Sequence, residues 1–526
     1  MLRREDWRSP LGYRPFAVGT RQLVGPMVVE VGLVLLLAGT GVLPTWPGLV
    51  REVGPFPIDI LTDVQVLVTK APSIPVFLLG LLAAVLFRTT VLSFMLGDPR
   101  DWWPACLRLE LLALTGGLVV SGLMFSGQAV LYTPTFYAGL AIFVVCVLTM
   151  APLPWRQASS LTNALRSLVD SGGHTLALLA YLCSLAGAGS LLRLHGIGFT
   201  AAPVGVSGAI TMALAHHFSG PPARPSARAI AGLIGAGLVV ALLVGVIASP
   251  APPRDDGLAR QGSLFLVPGA DTSSGHGTMF KFRPEWLGFS CAQTYYYSYA
   301  GLGNGAKRGE SVCPIRTGAP YGRIESGRAL TVLSKSFIAQ LQAIPSPLVV
   351  VADSEGGWVA WKALSSHATK PGGKLVVLSA FTDAWVTYPQ PSEPGPGSIG
   401  SLFVRAVASA GRFGGFTSFD PRSATAREVL SAPGSLRELF ENRLRSKWGA
   451  LLVTSAYDLA AMGRSWTVGS AFNACPEMEG HTALVLSGAS AAVTSSFLAG
   501  RPLSDCGWWN SWAAALGTMF GGPPEE

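Results

Sequence analysis

Charge is scarce in this sequence: Asp, Glu, Lys and Arg together make up 13% of its 526 residues. An ordinary soluble domain carries about 25%, so the whole chain does not read as one water-soluble domain. Cysteine is sparse too, with 7 residues, and the absence of a CxxC pair argues against a zinc site. The formal net charge of +8 comes with no basic run or patch, so no nucleic-acid partner is expected. There is no low-complexity segment and no short-period repeat. The glycine-rich stretches SGHG (274–277) and YAGLGNGA (299–306) do not fit GxxxxGK[ST], and they read as turns rather than phosphate loops. No cofactor and no metal are expected.

What the chain does have is apolar length, with a mean hydropathy of +0.43. That average hides a split near residue 250, between long apolar runs and the mixed composition of a globular domain. A hydrocarbon core of about 30 Å needs roughly 20 mostly apolar helical residues. Seven stretches meet this, near 23–43, 74–96, 109–127, 136–153, 174–192, 200–218 and 229–249. Residues 1–249 are thus expected to form an all-α polytopic membrane domain. The first run is too long for a cleaved signal peptide, and more follow, so it reads as retained.

Positive charge orients such a domain, because Lys and Arg favour short cytoplasmic loops. The N-terminal tail holds Arg3, Arg4, Arg8, Arg14 and Arg21. With seven spans the other inside loops hold Arg100, Arg108, Arg156, Arg166, Arg224 and Arg228, against Arg51, Lys70 and Arg193 outside. A cytoplasmic N-terminus and an extracytoplasmic C-terminal half follow, in a plasma-membrane protein. Cysteine usage agrees. Cys291, Cys313, Cys475 and Cys506 are an even set; four cysteines allow three connectivities, and 291–313 with 475–506 is the local choice. Inside the apolar runs, Glu30, Arg88 and Glu110 are ionisable and costly. Arg88 could pair with Glu30 or Glu110, or, like Glu110, reach the interface from a helix end.

A Pro- and charge-containing linker (250–262) leads to the second half, 263–526. There SLFLVP (263–268), TYYYSYA (294–300), PLVVVAD (347–353), KLVVLSAF (374–381), GALLVTSAY (449–457) and, more weakly, SWTVGSAF (465–472) read as strands. Helical periodicity covers 325–344, WVAWKALSSHA and TALVLSGASAAVTSSFL. Strands alternating with helices predict a mostly parallel, doubly wound α/β sheet. The stretch 382–447 is too long for an ordinary connection, and with helices near 399–411 and 423–446 it reads as a cap insertion.

Between a buried strand and a helix stands Ala352-Asp353-Ser354-Glu355-Gly356-Gly357. A nucleophile elbow has the form small-x-nucleophile-x-small in that context, because the tight turn leaves no room for larger side chains. The alternative is that Ser354 simply caps the helix. Residues 263–500 resemble the α/β-hydrolase superfamily, in the compact form of cutinase-, lipase- and esterase-like members; Ala352 departs from the usual first glycine. The resemblance implies Ser354 as nucleophile, His481 as general base and Asp458 as the acid, with Asp383 as the alternative acid. It further implies an oxyanion hole from the amides of Ala270, in Pro268-Gly269-Ala270, and Glu355. Of the other histidines in this half, His276 precedes the nucleophile and His367 lies near the end of the following helix.

The activity implied is acyl transfer through an acyl-enzyme, on an ester or thioester expected to derive from membrane lipids, which would be the chain's partners. With water as acceptor the protein would be an esterase or lipase; with an envelope hydroxyl, an acyltransferase. The competing expectation is a non-enzymatic transport or assembly protein with a degenerate hydrolase domain.

Overall fold

A computed structural model describes residues 20–40, 42, 60–96, 98–129, 204–212, 259–367, 372–382, 395, 398–414, 420, 422–430, 435–455, 467–477, 479, 481–503 and 506. The chain divides into two compact units, one built from the N-terminal helices and the other containing the sheet.

The N-terminal helices are α1 (Thr20–Gly39), α2 (Ile60–Lys70), α3 (Ile74–Leu96) and α4 (Pro99–Ala129). Seven membrane spans are not supported. Among the described residues one helix, Ile74–Phe94, is long and apolar enough to cross a bilayer. The run expected at 23–43 is helical as α1, but its apolar part is shorter, Met27–Gly39. The run expected at 109–127 lies within α4, which starts ten residues earlier and so takes Arg100, Asp101 and Arg108 into the same helix. Of 200–218 the described part, 204–212, is helical; 136–153, 174–192 and 229–249 lie outside the described residues. Arg88 is buried, and its Nε donates to Asp63 Oδ2 of α2 at 2.6 Å, a partner outside the two glutamates expected for it. An eleven-residue helix is too short to register in a search for 20-residue apolar runs, so this carboxylate was not a candidate.

The second unit carries β1 (Ser263–Val267), β2 (Thr294–Tyr296), β3 (Leu348–Asp353), β4 (Lys374–Leu378), β5 (Gly449–Val453) and β6 (Phe472–Asn473). They form one sheet in the order β2-β1-β3-β4-β5-β6, and every neighbouring pair is parallel. This is the doubly wound sheet expected from the alternating pattern. β1 is buried throughout, and β3, β4 and β5 nearly so, as continuous Val/Leu runs must be when helices cover both faces of a parallel sheet. The helices are α5 (Leu330–Gln342), α6 (Glu355–Ser366), α7 (Ser398–Phe413), α8 (Ala424–Leu430), α9 (Ser435–Glu441) and α10 (Gly488–Leu498). The cap expected at 382–447 supplies α7, α8 and α9, so the helix anticipated over 423–446 is two short ones. β2 and β6 are shorter than the apolar runs suggested, three and two residues.

The chain goes from β1 outward to β2, then returns to the other side of β1 for β3. Loops leaving the carboxyl ends of β1 and β3 therefore diverge to opposite sides and open a crevice between them. In open α/β sheets this switch point is where ligands bind. Two disulfides close, Cys291–Cys313 and Cys475–Cys506, each with Cα atoms 5.2 Å apart. These are the local pairings.

Candidate active site

Ser354 stands between the carboxyl end of β3 and α6, with φ 52° and ψ −122°. A non-glycine residue held there costs about 1–3 kcal/mol and persists only where its surroundings over-determine it. Those surroundings are visible. The Ser354 amide donates to Leu378 O at 2.8 Å, and its carbonyl accepts from the Gly357 amide at 2.9 Å. The side chain makes no capping hydrogen bond to α6, so the helix-cap alternative fails.

The small residues around it are needed for space. A Cβ on Gly356 would lie 2.6 Å from Pro268 O and 2.8 Å from Val267 O. One on Gly357 would meet Val377 Cγ1 at 2.7 Å and Ala380 Cβ at 2.9 Å. Two glycines thus let α6 start close against β1 and β4 at once. Gly269 is in the same position from the other side: a Cβ there would be 3.0 Å from Ser354 Cβ. The turn after β1 therefore passes directly beside Ser354.

His481 comes from the loop after β6. Its Nε2 lies 3.0 Å from Ser354 Oγ. The ring stacks on Phe381, with centroids 5.5 Å apart and planes 18° from parallel. The backbone is tied as well, since Ser379 Oγ donates to His481 O at 2.9 Å. A hydroxyl within hydrogen-bond reach of an imidazole can pass its proton to the ring as it attacks an electrophile. The other two histidines of this half stand elsewhere. His276 is exposed and 3.5 Å from Glu310 on the surface, and His367 ends α6. Asp458, the expected acid, and Asp383, its alternative, both lie outside the described residues.

Glu355 follows the serine directly, and Ala270 follows Gly269 in the turn that passes beside it. Glu355 is the first residue of α6, where helix amides have no partner within the helix. Pro268-Gly269-Ala270 is pinned by side chains that sequence reasoning missed. Tyr299 Oη donates to Pro268 O at 2.7 Å, Thr272 Oγ1 donates to Gly269 O at 2.9 Å, and Tyr321 Oη lies 3.2 Å from Thr272 Oγ1. With its carbonyls held this way, the turn keeps a fixed orientation beside Ser354. Tyr299 and Tyr321 are buried, and burial pushes both phenols up, so they remain neutral donors.

Two carboxyls precede the histidine. Burial, and then the charge of Glu479, push Glu477 up to about 7; burial likewise raises Glu479. Among the described residues no group of three or more His, Cys, Asp and Glu could hold a metal ion. Comparison with protein-family models, with curated proteins and with solved structures returns no match.

Proposed function

We propose that the chain is a membrane-attached serine hydrolase of the α/β-hydrolase type. The observation that carries this reading is the 3.0 Å approach of His481 Nε2 to Ser354 Oγ, at a serine in a strained strand-to-helix turn with no capping role. In the reaction, Ser354 Oγ attacks an ester or thioester carbonyl while its proton passes to His481 Nε2. The tetrahedral oxyanion is held by the amides of Ala270 and Glu355, a contribution of about 3–4 kcal/mol per donor. The imidazolium then protonates the leaving group, and a second nucleophile, activated by the same ring, releases the acyl group. Asp458 is the carboxylate assigned to His481 Nδ1, because it follows β5 in the chain order Ser, Asp, His.

The seven-span arrangement, with the catalytic half extracytoplasmic, is part of the same proposal. Two disulfides support it, since such bridges persist in oxidising compartments. A short tether from the last apolar run favours a lipid-derived acyl substrate, and water or an envelope hydroxyl serves as acceptor. A fluorophosphonate probe tests the chemistry. Labelling that disappears in Ser354→Ala is expected, whereas folded protein that never labels would make the chain a binding or transport protein instead.

A further inference from the structure

The cap helix α7 carries its larger apolar side chains on the outside. A helix at the surface of a water-soluble domain turns its apolar stripe to the core and its polar face to solvent. After its first turn α7 does the reverse. Ser401 and Ala408 are buried, while Leu402, Ala406, Ser409, Ala410 and Phe413 are exposed. Leu402, Ala406, Ala410 and Phe413 stand at i, i+4, i+8 and i+11, so they form one stripe along the helix. Leu402 is 41% exposed and Phe413 97%.

What covers this stripe follows from where α7 is fastened. Gly395 N, just before the helix, donates to Pro72 O at 2.8 Å, and Ser398 Oγ donates to Ala71 O at 3.4 Å. Those carbonyls belong to the turn that leads into Ile74–Phe94, the helix long and apolar enough to cross a bilayer. Further along, Phe403 packs on α4, where a Cβ on Gly122 would meet its Cδ1 at 3.0 Å. Residues 67–77 and 122–138 belong to the same compact unit as the sheet. Only Gly97 and Asp98 separate α3 from α4, so an α4 that returns through the bilayer ends on the side where α3 starts. Contact with both of these ends places α7 at one membrane surface. Gly122 is five residues short of the end of the apolar run 109–127, and five helical residues rise about 7 Å. An interfacial amphipathic helix buries its apolar face about 5–10 Å into the headgroup and acyl boundary. The attachment of α7 matches that depth.

We propose that α7 is an interfacial helix whose exposed stripe, from Leu402 to Phe413, seats in the adjacent membrane leaflet. Its occupant is the phospholipid surface. The helix carries Arg405 and Arg412 and no acidic residue, as suits a surface of phosphate groups. From this seat a line of contacts reaches the candidate active site. Arg412 pairs with Asp420 at 3.0 Å, ahead of α8, and the Thr425 hydroxyl of α8 engages the carbonyls of Ser326 and Arg328. In the same 323–327 turn Arg323 Nε lies 3.8 Å from Asp271 Oδ1, beside Ala270. The seat thus favours an acyl substrate carried in the same leaflet over one free in water.

This rests on the membrane-attached reading of the chain, and the experiment separates the two. The full chain is reconstituted in phosphatidylcholine/phosphatidylglycerol vesicles with a nitroxide on Leu402→Cys, Phe413→Cys or, as a control on exposed α5, Lys335→Cys. The unsubstituted chain supplies the blank for its native cysteines. Paramagnetic-resonance saturation then reads collisions with oxygen, which partitions into lipid, and with a water-soluble nickel chelate. The oxygen-to-nickel ratio at 402 and 413 should exceed that at 335 several-fold. Equal ratios overturn the proposal; so do low collision rates with both reagents, which would show that protein covers the stripe. Release of the chain by a carbonate wash overturns membrane attachment itself, whereas retention with 402 and 413 in water overturns the seating of α7 alone. Leu402→Ser/Phe413→Ser should keep the wild-type fluorophosphonate rate but hydrolyse a vesicle-borne ester several-fold more slowly, relative to a soluble one. An unchanged ratio of the two esters overturns the link to the substrate. Absence of labelling in every form, with 402 and 413 in lipid, overturns the hydrolase reading instead.

Discussion

The imidazole of His481 lies almost flat on the ring of Phe381, 5.5 Å away, and this contact comes from the carboxyl end of β4 rather than from the histidine's own loop. Ser379, from the same strand end, holds the His481 carbonyl, and Trp358 Nε1 of α6 donates to Phe381 O at 3.0 Å. The orientation that brings Nε2 to Ser354 is thus set by a strand two removed from it in sequence. Phe381→Leu keeps most of the volume and removes the flat surface. We expect its fluorophosphonate labelling to slow by about 10–100-fold, since small misplacements of a reacting group are costly. Unchanged circular dichroism together with an unchanged labelling rate would refute the positioning role.

The turn after β1 is expected to respond to the loss of a single oxygen. Tyr299→Phe removes the donor to Pro268 O and leaves a buried carbonyl unsatisfied, at a cost of about 1–3 kcal/mol in stability. Because the turn carries the Ala270 amide, turnover of a soluble ester should fall with little change in KM. A variant that loses stability but keeps kcat would mean that the turn contributes nothing to the oxyanion.

Glycine is required at 356 for space. An added Cβ there meets two backbone oxygens of β1 and its following turn below 3 Å, and neither can move without shifting the strand. Gly356→Ala should therefore destabilise by about 1–3 kcal/mol or more, by overpacking. Gly449→Ala is the control, since its Cβ would make only an ordinary contact of 3.7 Å with Phe497 Cζ. Thermal melts of the two should diverge; equal melts would show that the elbow can relax.

Much of this was legible because parallel strands buried on both faces announce themselves as unbroken Val/Leu runs, and because tight turns demand small residues. The β3 run and the elbow follow from those two constraints, whereas the choice of His481 over His276 and His367 came from the chain order that the resemblance implies. Partners brought together only by the tertiary fold were not legible. Tyr299 is 31 residues from Pro268, and Phe381 is 100 from His481, with nothing local to mark either pair. The aromatic run at 294–300 read as one strand, yet only three residues pair with β1; the rest turn their rings inward, with Tyr297 and Tyr299 5.0 Å apart. In the N-terminal half, apolar length alone did not place the helix ends, since α4 carries charged residues into the helix that holds its apolar run. Burial of the Glu355 side chain ran against the preference for exposed acids in a first helical turn, so no pattern pointed to it.

The bridge between Cys291 and Cys313 joins the start of β2 to the loop that returns toward α5, closing 22 residues. Cross-links of this span stabilise by about 3 kcal/mol in the chain-entropy account. The double variant Cys291→Ser/Cys313→Ser should melt lower by an amount that reductant reproduces in wild type. If reductant leaves the wild-type melt unchanged, the bridge is not formed in the folded protein.

Glu355 also makes a stability prediction whose sign can be derived. In the unfolded chain a Glu carboxyl titrates near about 4.3, while in the folded protein burial raises it to about 8. Below the lower value both states are protonated and the buried acid carries no ionisation penalty. Between the two values the unfolded chain gives up its proton and the folded protein keeps it, so stability falls as pH rises through this window. Above the folded value the penalty is complete, on the order of a few kcal/mol. Glu477, raised to about 7, contributes in the same direction over a narrower range. Glu355→Gln has no proton to lose, so its melting temperature should match wild type near pH 4 and exceed it progressively toward pH 8. A difference that stays constant with pH would mean that the carboxyl titrates alike in both states, and its burial would then need another explanation.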